Sequence, residues 1–205
     1  ARNKIPRELV DENSAKFKAL RKTINLSWDD FIRTTDKKRH WPAAQKMWRE
    51  LVRSDDIYWK KYHGLYCVGH EAFITEKDLV RGICRDHQKE PEVIEEENWF
   101  FRLSKYSKKI KAAIVSGRFK IIPESRQNEI LSLIKSGLDD VSFSRPAKDL
   151  AWGIPVPGDP TQTMYVWCDA LVNYISAIGY GGKSESDQKL FKKWWPADLQ
   201  VIGKD

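Results

Sequence analysis

Two short runs carry the residue types that bind metal. Cys67-Val-Gly-His70 and Cys84-Arg-Asp-His87 each place a thiol and an imidazole three residues apart, with 13 residues between the pairs. Two such knuckles can gather two thiolates and two imidazoles into a tetrahedron around zinc, which would staple a region with little core of its own. The same residues also read as two buried thiols and two surface imidazoles with no metal. A second run, MYVWCDALVNY at 164–174, reads as an apolar strand, Met164 to Trp167, that passes at once into a helix near Asp169. Strand ends that turn directly into helices are where α/β proteins build pockets. Asp169 is then either a pocket acid or a helix N-cap, and Trp167 and Tyr174 are either pocket rings or core.

Three further residues have types suited to phosphate or ribose. Arg145, in SFSRP after a short strand, can hold a phosphate through its fixed fork of donors or serve as a surface ion-pair member. The terminal IGKD places Gly203 where a backbone can approach a ligand and Asp205 where an acid can meet ribose hydroxyls. AIGYGGKS at 177–184 is not a phosphate-binding loop: Ala177 stands where Gly is required, and a helix precedes it. Gly179 to Gly182 read instead as a helix stop and a turn.

Around these residues the elements alternate in type. Pro6 opens a helix whose Val10, Phe17, Leu20 and Ile24 share a face. INLSWDDFIRTTD reads as strand or loop. Ala44, Met47, Trp48, Leu51 and Val52 form a second helical stripe, opened by Pro42. Ile57 to Phe73 reads as strand, Glu76 to Val80 as a short helical turn, and Val93 to Glu97 as strand. Leu103 to Ile114 returns to helical spacing. Pro123 and Gly137 bracket another helix. Then come a strand at VSFS, a Pro-punctuated loop WGIPVPGDP, a helix bearing Trp194 and Trp195, and a last strand at LQVIG. The ends read as α/β and the middle as a mixed insertion.

Composition sets bounds. With 41% hydrophobic residues the chain is globular. Its net charge of +7 permits a polyanionic partner, and segment 104–120 holds six Lys or Arg with no acid. Three Cys argue against a disulfide framework and for a reducing, cytoplasmic setting, and no apolar run approaches a membrane span. The chain opens without Met and reads as a piece of something longer.

Taken in order, FIRTTD (31–36), GLYC (64–67) with the knuckle, EEENWFFRLSKY (95–106), DVSFSRP (140–146), WGIPVPGD (152–159), YVWCDALVNY (165–174) and WWPADLQVIGKD (194–205) resemble the methionyl-tRNA synthetase family. The resemblance implies α/β architecture: parts of a Rossmann-type catalytic domain split by a mixed α+β connective insertion. Residues 1–27 would end the first Rossmann half, 28–162 would form the insertion with its zinc knuckle at 67–87, and 163–205 would start the second half. It implies activation of methionine by ATP with Mg2+ and transfer to tRNA(Met), with no membrane partner. Trp167, Ala170, Leu171 and Tyr174 would line the methionine pocket. Arg145 would act in activation, and Gly203 and Asp205 would meet the nucleotide. Cys67, His70, Cys84 and His87 would hold zinc, with His70 and His87 in place of the second Cys of each pair. The family's histidine-glycine-histidine and lysine-serine signatures are absent, so the piece alone is expected to be inactive. The alternative is a stand-alone zinc-knuckle module that binds tRNA or protein.

Overall fold

A computed structural model describes residues 5–70 and 72–203, which divide into two compact units, Ala1–Ala43 with Asn173–Asp205, and Ala44–Val172. No described helix is long and apolar enough to cross a membrane.

In the first unit, α1 (Pro6–Thr23) carries Pro at its start, Glu8 in its first turn and Arg21 and Lys22 in its last, all matched to the helix dipole. The expected apolar face exists, but none of its residues is buried within this chain. INLSWDDFIRTTD is irregular. Asp36 ends it, its carboxylate accepting from the Lys38 and Arg39 N–H groups at 2.9 and 3.0 Å, and α2 (His40–Arg53) starts two residues before Pro42. Gly179 and Gly181 turn the chain with φ of 97° and 81°. A Cβ at either would run into backbone, that of Asp187 and Ala43 respectively. The helix over Glu185–Trp194 opens on a Ser184–Asp187 capping box. The strand expected at LQVIG is not formed: residues 199–203 are irregular. β-Branched composition alone does not make a strand, and no ladder partner lies beside these residues among those described.

In the second unit, β1 (Ile57–Cys67) and β5 (Glu92–Phe101) form one long antiparallel ribbon, running from Ile57 opposite Phe101 to Tyr66 opposite Glu92. β5 is longer at both ends than its apolar residues suggested, because Glu92, Asn98 and the aromatic residues after it also join the ladder. β2 (Ala72–Ile74) and β6 (Val141–Ser142) flank the ribbon in the order β2-β1-β5-β6. A 3-10 turn at Glu76–Asp78 precedes the small hairpin of β3 (Leu79–Val80) and β4 (Ile83–Cys84). Leu103–Tyr106, another 3-10 turn, leads into α3 (Ser107–Val115), and α4 (Glu124–Ser136) ends on Gly137 at φ 101°.

A second sheet, ordered β7-β9-β8, uses Ser144–Pro146, Asp159–Met164 and Pro155–Val156. The Pro-punctuated loop therefore supplies a strand, because Gly158 at φ 85° turns β8 back into β9. Glu97 and Trp99 tie the ribbon to this sheet. The Glu97 carbonyl accepts from Gln162 Nε2 at 3.0 Å, the Trp99 N–H donates to Ser144 Oγ at 2.9 Å, and the Trp99 ring N–H donates to Asp159 at 2.9 Å. Trp48, edge-on to Trp99 at 6.3 Å, is buried, as are Ile154, Met164, Cys168 and Val172. All described strand pairs are antiparallel.

Candidate functional site

Cys67 ends β1, and its carbonyl accepts from the His70 N–H at 3.1 Å, closing the first knuckle turn. Cys84 ends β4, and its carbonyl accepts from the Gln88 N–H at 2.9 Å, closing the second around His87. The four donor atoms lie within 4.8 Å of one another. Cys67 Sγ stands 3.6 Å from His87 Nδ1, and Cys84 Sγ stands 3.6 Å from His70 Nδ1 and 3.7 Å from His87 Nδ1. Zinc bond lengths set at tetrahedral angles require a sulfur–nitrogen edge of about 3.5 Å. Both sulfurs are buried and both rings are exposed. Burial opposes ionisation of Cys67, but the His70 backbone N–H and the Cys84 thiol outweigh it and bring the Cys67 thiol down to about 6. His70 turns Nε2 to Asp86 at 3.1 Å, the arrangement that fixes a ligating ring and leaves Nδ1 for metal. Gly69 leaves the space in which the His87 ring lies, since a Cβ there would overlap it. Soft, mixed sulfur and nitrogen donors in this shape fit zinc.

The helix α5 spans Val166–Ser176, so Trp167 lies in its first turn and not at the end of a strand. The Tyr165 carbonyl accepts from the Cys168 and Asp169 N–H groups at 2.8 and 3.3 Å, which starts the helix earlier than expected. Asp169 is consequently inside the first turn and is not the N-cap. Trp167, Ala170, Leu171 and Tyr174 recur at i, i+3, i+4 and i+7 on one face of α5. The three large side chains on that face are open, at 53%, 55% and 41% exposure, while Cys168, Val172 and Ser176 on the opposite face are buried. Burial pushes the Asp169 carboxyl up to about 7, offset in part by the Ala170 N–H, and its buried Oδ1 has no hydrogen-bond partner.

Arg145, on β7, donates through Nη1 to Ser142 Oγ at 2.7 Å and to the Ser144 carbonyl at 2.8 Å, with its guanidinium 4.0 Å from the Tyr165 ring centre. Sequence reading did not mark Tyr165, whose ring seats the guanidinium, or Gly69 and Asp86, which shape the knuckle. The signal for all three is adjacency to a marked residue.

Within the unit of 1–43 and 173–205, a cleft of about 830 Å³ is lined by Asp30, Arg39, Tyr174, Ser176, Tyr180 and Trp194 among others. Asp30 and Arg39 form an ion pair there, and Arg39 also donates to the Ala177 carbonyl at 3.2 Å. Of the expected site residues only Tyr174 lines this cleft. Gly203 stands in the final irregular stretch with open space around its α-carbon, and Asp205 lies outside the described residues.

Comparison with known proteins gives one consistent answer. The model of the family described as tRNA synthetases class I (M) matches residues 1–205. The chain is 46% identical over 201 residues to methionine–tRNA ligase of Clostridium perfringens, covering 98% of this chain and 30% of that protein. It is 44% identical over 206 residues to the Brucella suis enzyme of the same name, covering 38% of that protein. The crystal structure of Mycobacterium tuberculosis methionyl-tRNA synthetase bound by methionyl-adenylate superposes with a TM-score of 0.80 at 39% identity, over 94% of this chain and 38% of that one. The chain thus spans about a third of the length of these relatives. The architecture agrees with the expected class, parts of a Rossmann-type catalytic region with a mixed α+β insertion. Chain-long similarity at this identity, together with the superposition, makes the chain a member of the class I tRNA synthetase (M) family.

Proposed function

We propose that the protein of which this chain is a part activates methionine with ATP and Mg2+ and transfers it to tRNA(Met). The observation that carries this reading is the superposition on a synthetase solved with methionyl-adenylate, over nearly the whole chain. In the reaction the methionine carboxylate attacks the α-phosphorus of ATP, pyrophosphate leaves, and a ribose hydroxyl of the tRNA end then displaces AMP from the adenylate. Each of these steps builds negative charge on phosphate oxygens, which fixed cations stabilise.

The open face of α5 supplies the side-chain pocket. Trp167, Leu171 and Tyr174 surround an unbranched thioether with polarizable contacts, and Ala170 leaves room among them. Arg145 serves the phosphates. Its Nη1 donates to Ser142 and to the Ser144 carbonyl, and its guanidinium lies 4.0 Å from the Tyr165 ring centre, so the group is held in place before substrate arrives. Gly203 and Asp205 are assigned to the adenosine and ribose. Cys67, His70, Cys84 and His87 hold a structural zinc whose four ligands leave no open position for chemistry. Residues 1–27 and 163–205 are assigned to the catalytic domain and 28–162 to its connective insertion.

Amino-acid-dependent ATP–pyrophosphate exchange on the complete protein tests this reading. Methionine alone should support exchange, and Trp167→Ala should raise the methionine KM about tenfold. Exchange with a different amino acid, or with none, would overturn it.

A further inference from the structure

The most basic acid-free stretch of the sequence contains none of the candidate site residues. Between residues 104 and 120 there are six Lys or Arg and no acid. Lys105 is committed, its Nζ donating to Asp56 at 2.7 Å and to the Ser54 carbonyl at 3.0 Å. Lys108, Lys109, Lys111, Arg118 and Lys120 are all exposed. Ile110, Ala113 and Ile114 form the inner face of α3, which leaves Lys108 and Lys111 one turn apart on its outer face. The helix then folds back on itself. Gly117, at φ 75°, lets the Phe119 N–H donate to the Ala113 carbonyl at 2.9 Å. That bond sets Arg118, Phe119 and Lys120 beside the last turn of α3, with the Phe119 ring 56% exposed between its two cationic neighbours.

The start of this segment is answered only in part within the chain: Asp140 accepts from the Ser104 N–H at 3.1 Å, and Asp56 accepts from Lys105 at 2.7 Å and from the Tyr106 hydroxyl at 2.6 Å. Neither α3 nor the 3-10 turn before it has an acid in its first turn, and α3 has no base in its last. Lys108 and Lys109 stand instead in the first turn of the helix, near its positive end. Glu129, on the neighbouring α4, is engaged by Arg126 at 2.8 Å. Among the described residues no acid pairs with Lys108, Lys111, Arg118 or Lys120, so these exposed charges are left for a partner outside the chain.

We propose that α3 and its C-terminal turn form a docking surface for the phosphate backbone of tRNA, with Lys108, Lys111, Arg118 and Lys120 as the contacting cations. Spaced cations on an exposed helix face match phosphates along a strand, and the open ring of Phe119 offers a face on which an unpaired base can stack. The choice of RNA as partner rests on the ligase reading above; the surface itself does not.

The test is a titration of tRNA with the complete protein across salt concentrations, with no amino acid or ATP present. Changing Lys108, Lys111, Arg118 and Lys120 together to Ala should lower the log–log salt slope by about 3 to 4, at roughly 0.9 for each phosphate no longer neutralised. It should also weaken binding by about tenfold or more at about 0.1 M salt. A charge-keeping set, with the lysines changed to Arg and Arg118 to Lys, should keep both values. Exchange in the absence of tRNA should stay at the parent rate for both sets, which also shows that they fold. Equal slopes and affinities for parent and alanine set would overturn the proposal, whatever else the surface then binds. Absence of methionine-dependent exchange in the parent would instead sink the ligase reading and leave the tRNA titration readable.

Discussion

At the scale of single residues, Asp169 makes the clearest commitment. Burial raises its carboxyl from the ordinary 3.8 to about 7, and its Oδ1 is buried with no partner. Below about pH 4 the group is protonated in both folded and unfolded chains and has no effect on stability. As pH rises toward 7 the unfolded chain releases the proton while the folded chain retains it, so folding is progressively weakened. Above the folded value the loss is complete. Asp169→Asn, which cannot ionise, should therefore give a melting temperature less sensitive to pH between about 4 and 7 than the parent. Thermal unfolding of the complete protein at several pH values checks this, and parallel profiles for the two proteins would contradict it.

At the scale of elements, the knuckle has little to hold it besides its ligands. Its buried residues are Cys67, Ile74 and Cys84, with Leu65 and Leu79 packed against them, and its hairpin pairs only two residues on each side. A core this small needs a staple. One zinc per chain is expected by elemental analysis, and chelation should release amide exchange protection around Cys84 without unfolding β1 and β5. Gly69→Ala should weaken zinc binding by about tenfold or more, because the new Cβ takes the space of the His87 ring.

The knuckle was legible in the sequence because ligand spacing is a local signal. So was α4, bracketed by Pro123 and Gly137. The start of α5 was not, because the apolar run Tyr165–Trp167 suits a strand and a helix equally, and the choice is made by the Tyr165 carbonyl. LQVIG has strand composition, but a strand forms only beside a partner. The loop 152–159 hid a strand because Pro155 signals a break, although Gly158 provides the turn that pairs β8 with β9. The residues assigned to methionine came from the family motif; their shared place on one open helix face needed the structure.

At the scale of the whole molecule, charge and apolar surface are both unevenly placed. The exposed Lys108, Lys111, Arg118 and Lys120 of α3 and its turn form one such surface. The apolar face of α1 is another, since none of its residues is buried within this chain. The ribbon of β1 and β5 separates two duties along its length. Its Glu97–Phe101 end carries the hydrogen bonds to Ser144, Asp159 and Gln162, near Arg145. Its far end, about 30 Å away at strand rise, carries the knuckle. Lys61 and Glu97 face each other across the ladder. The gene can therefore be shortened there: excising residues 62–96 and joining the cut ends through an Asn-Gly turn should yield a truncated hairpin in the same register. On the proposed ligase reading, the complete protein shortened in this way should bind no zinc and still support methionine-dependent exchange. Residues 62–96 would then be a detachable cassette, free to be lost, traded or replaced by a reporter domain without rebuilding the strands that remain.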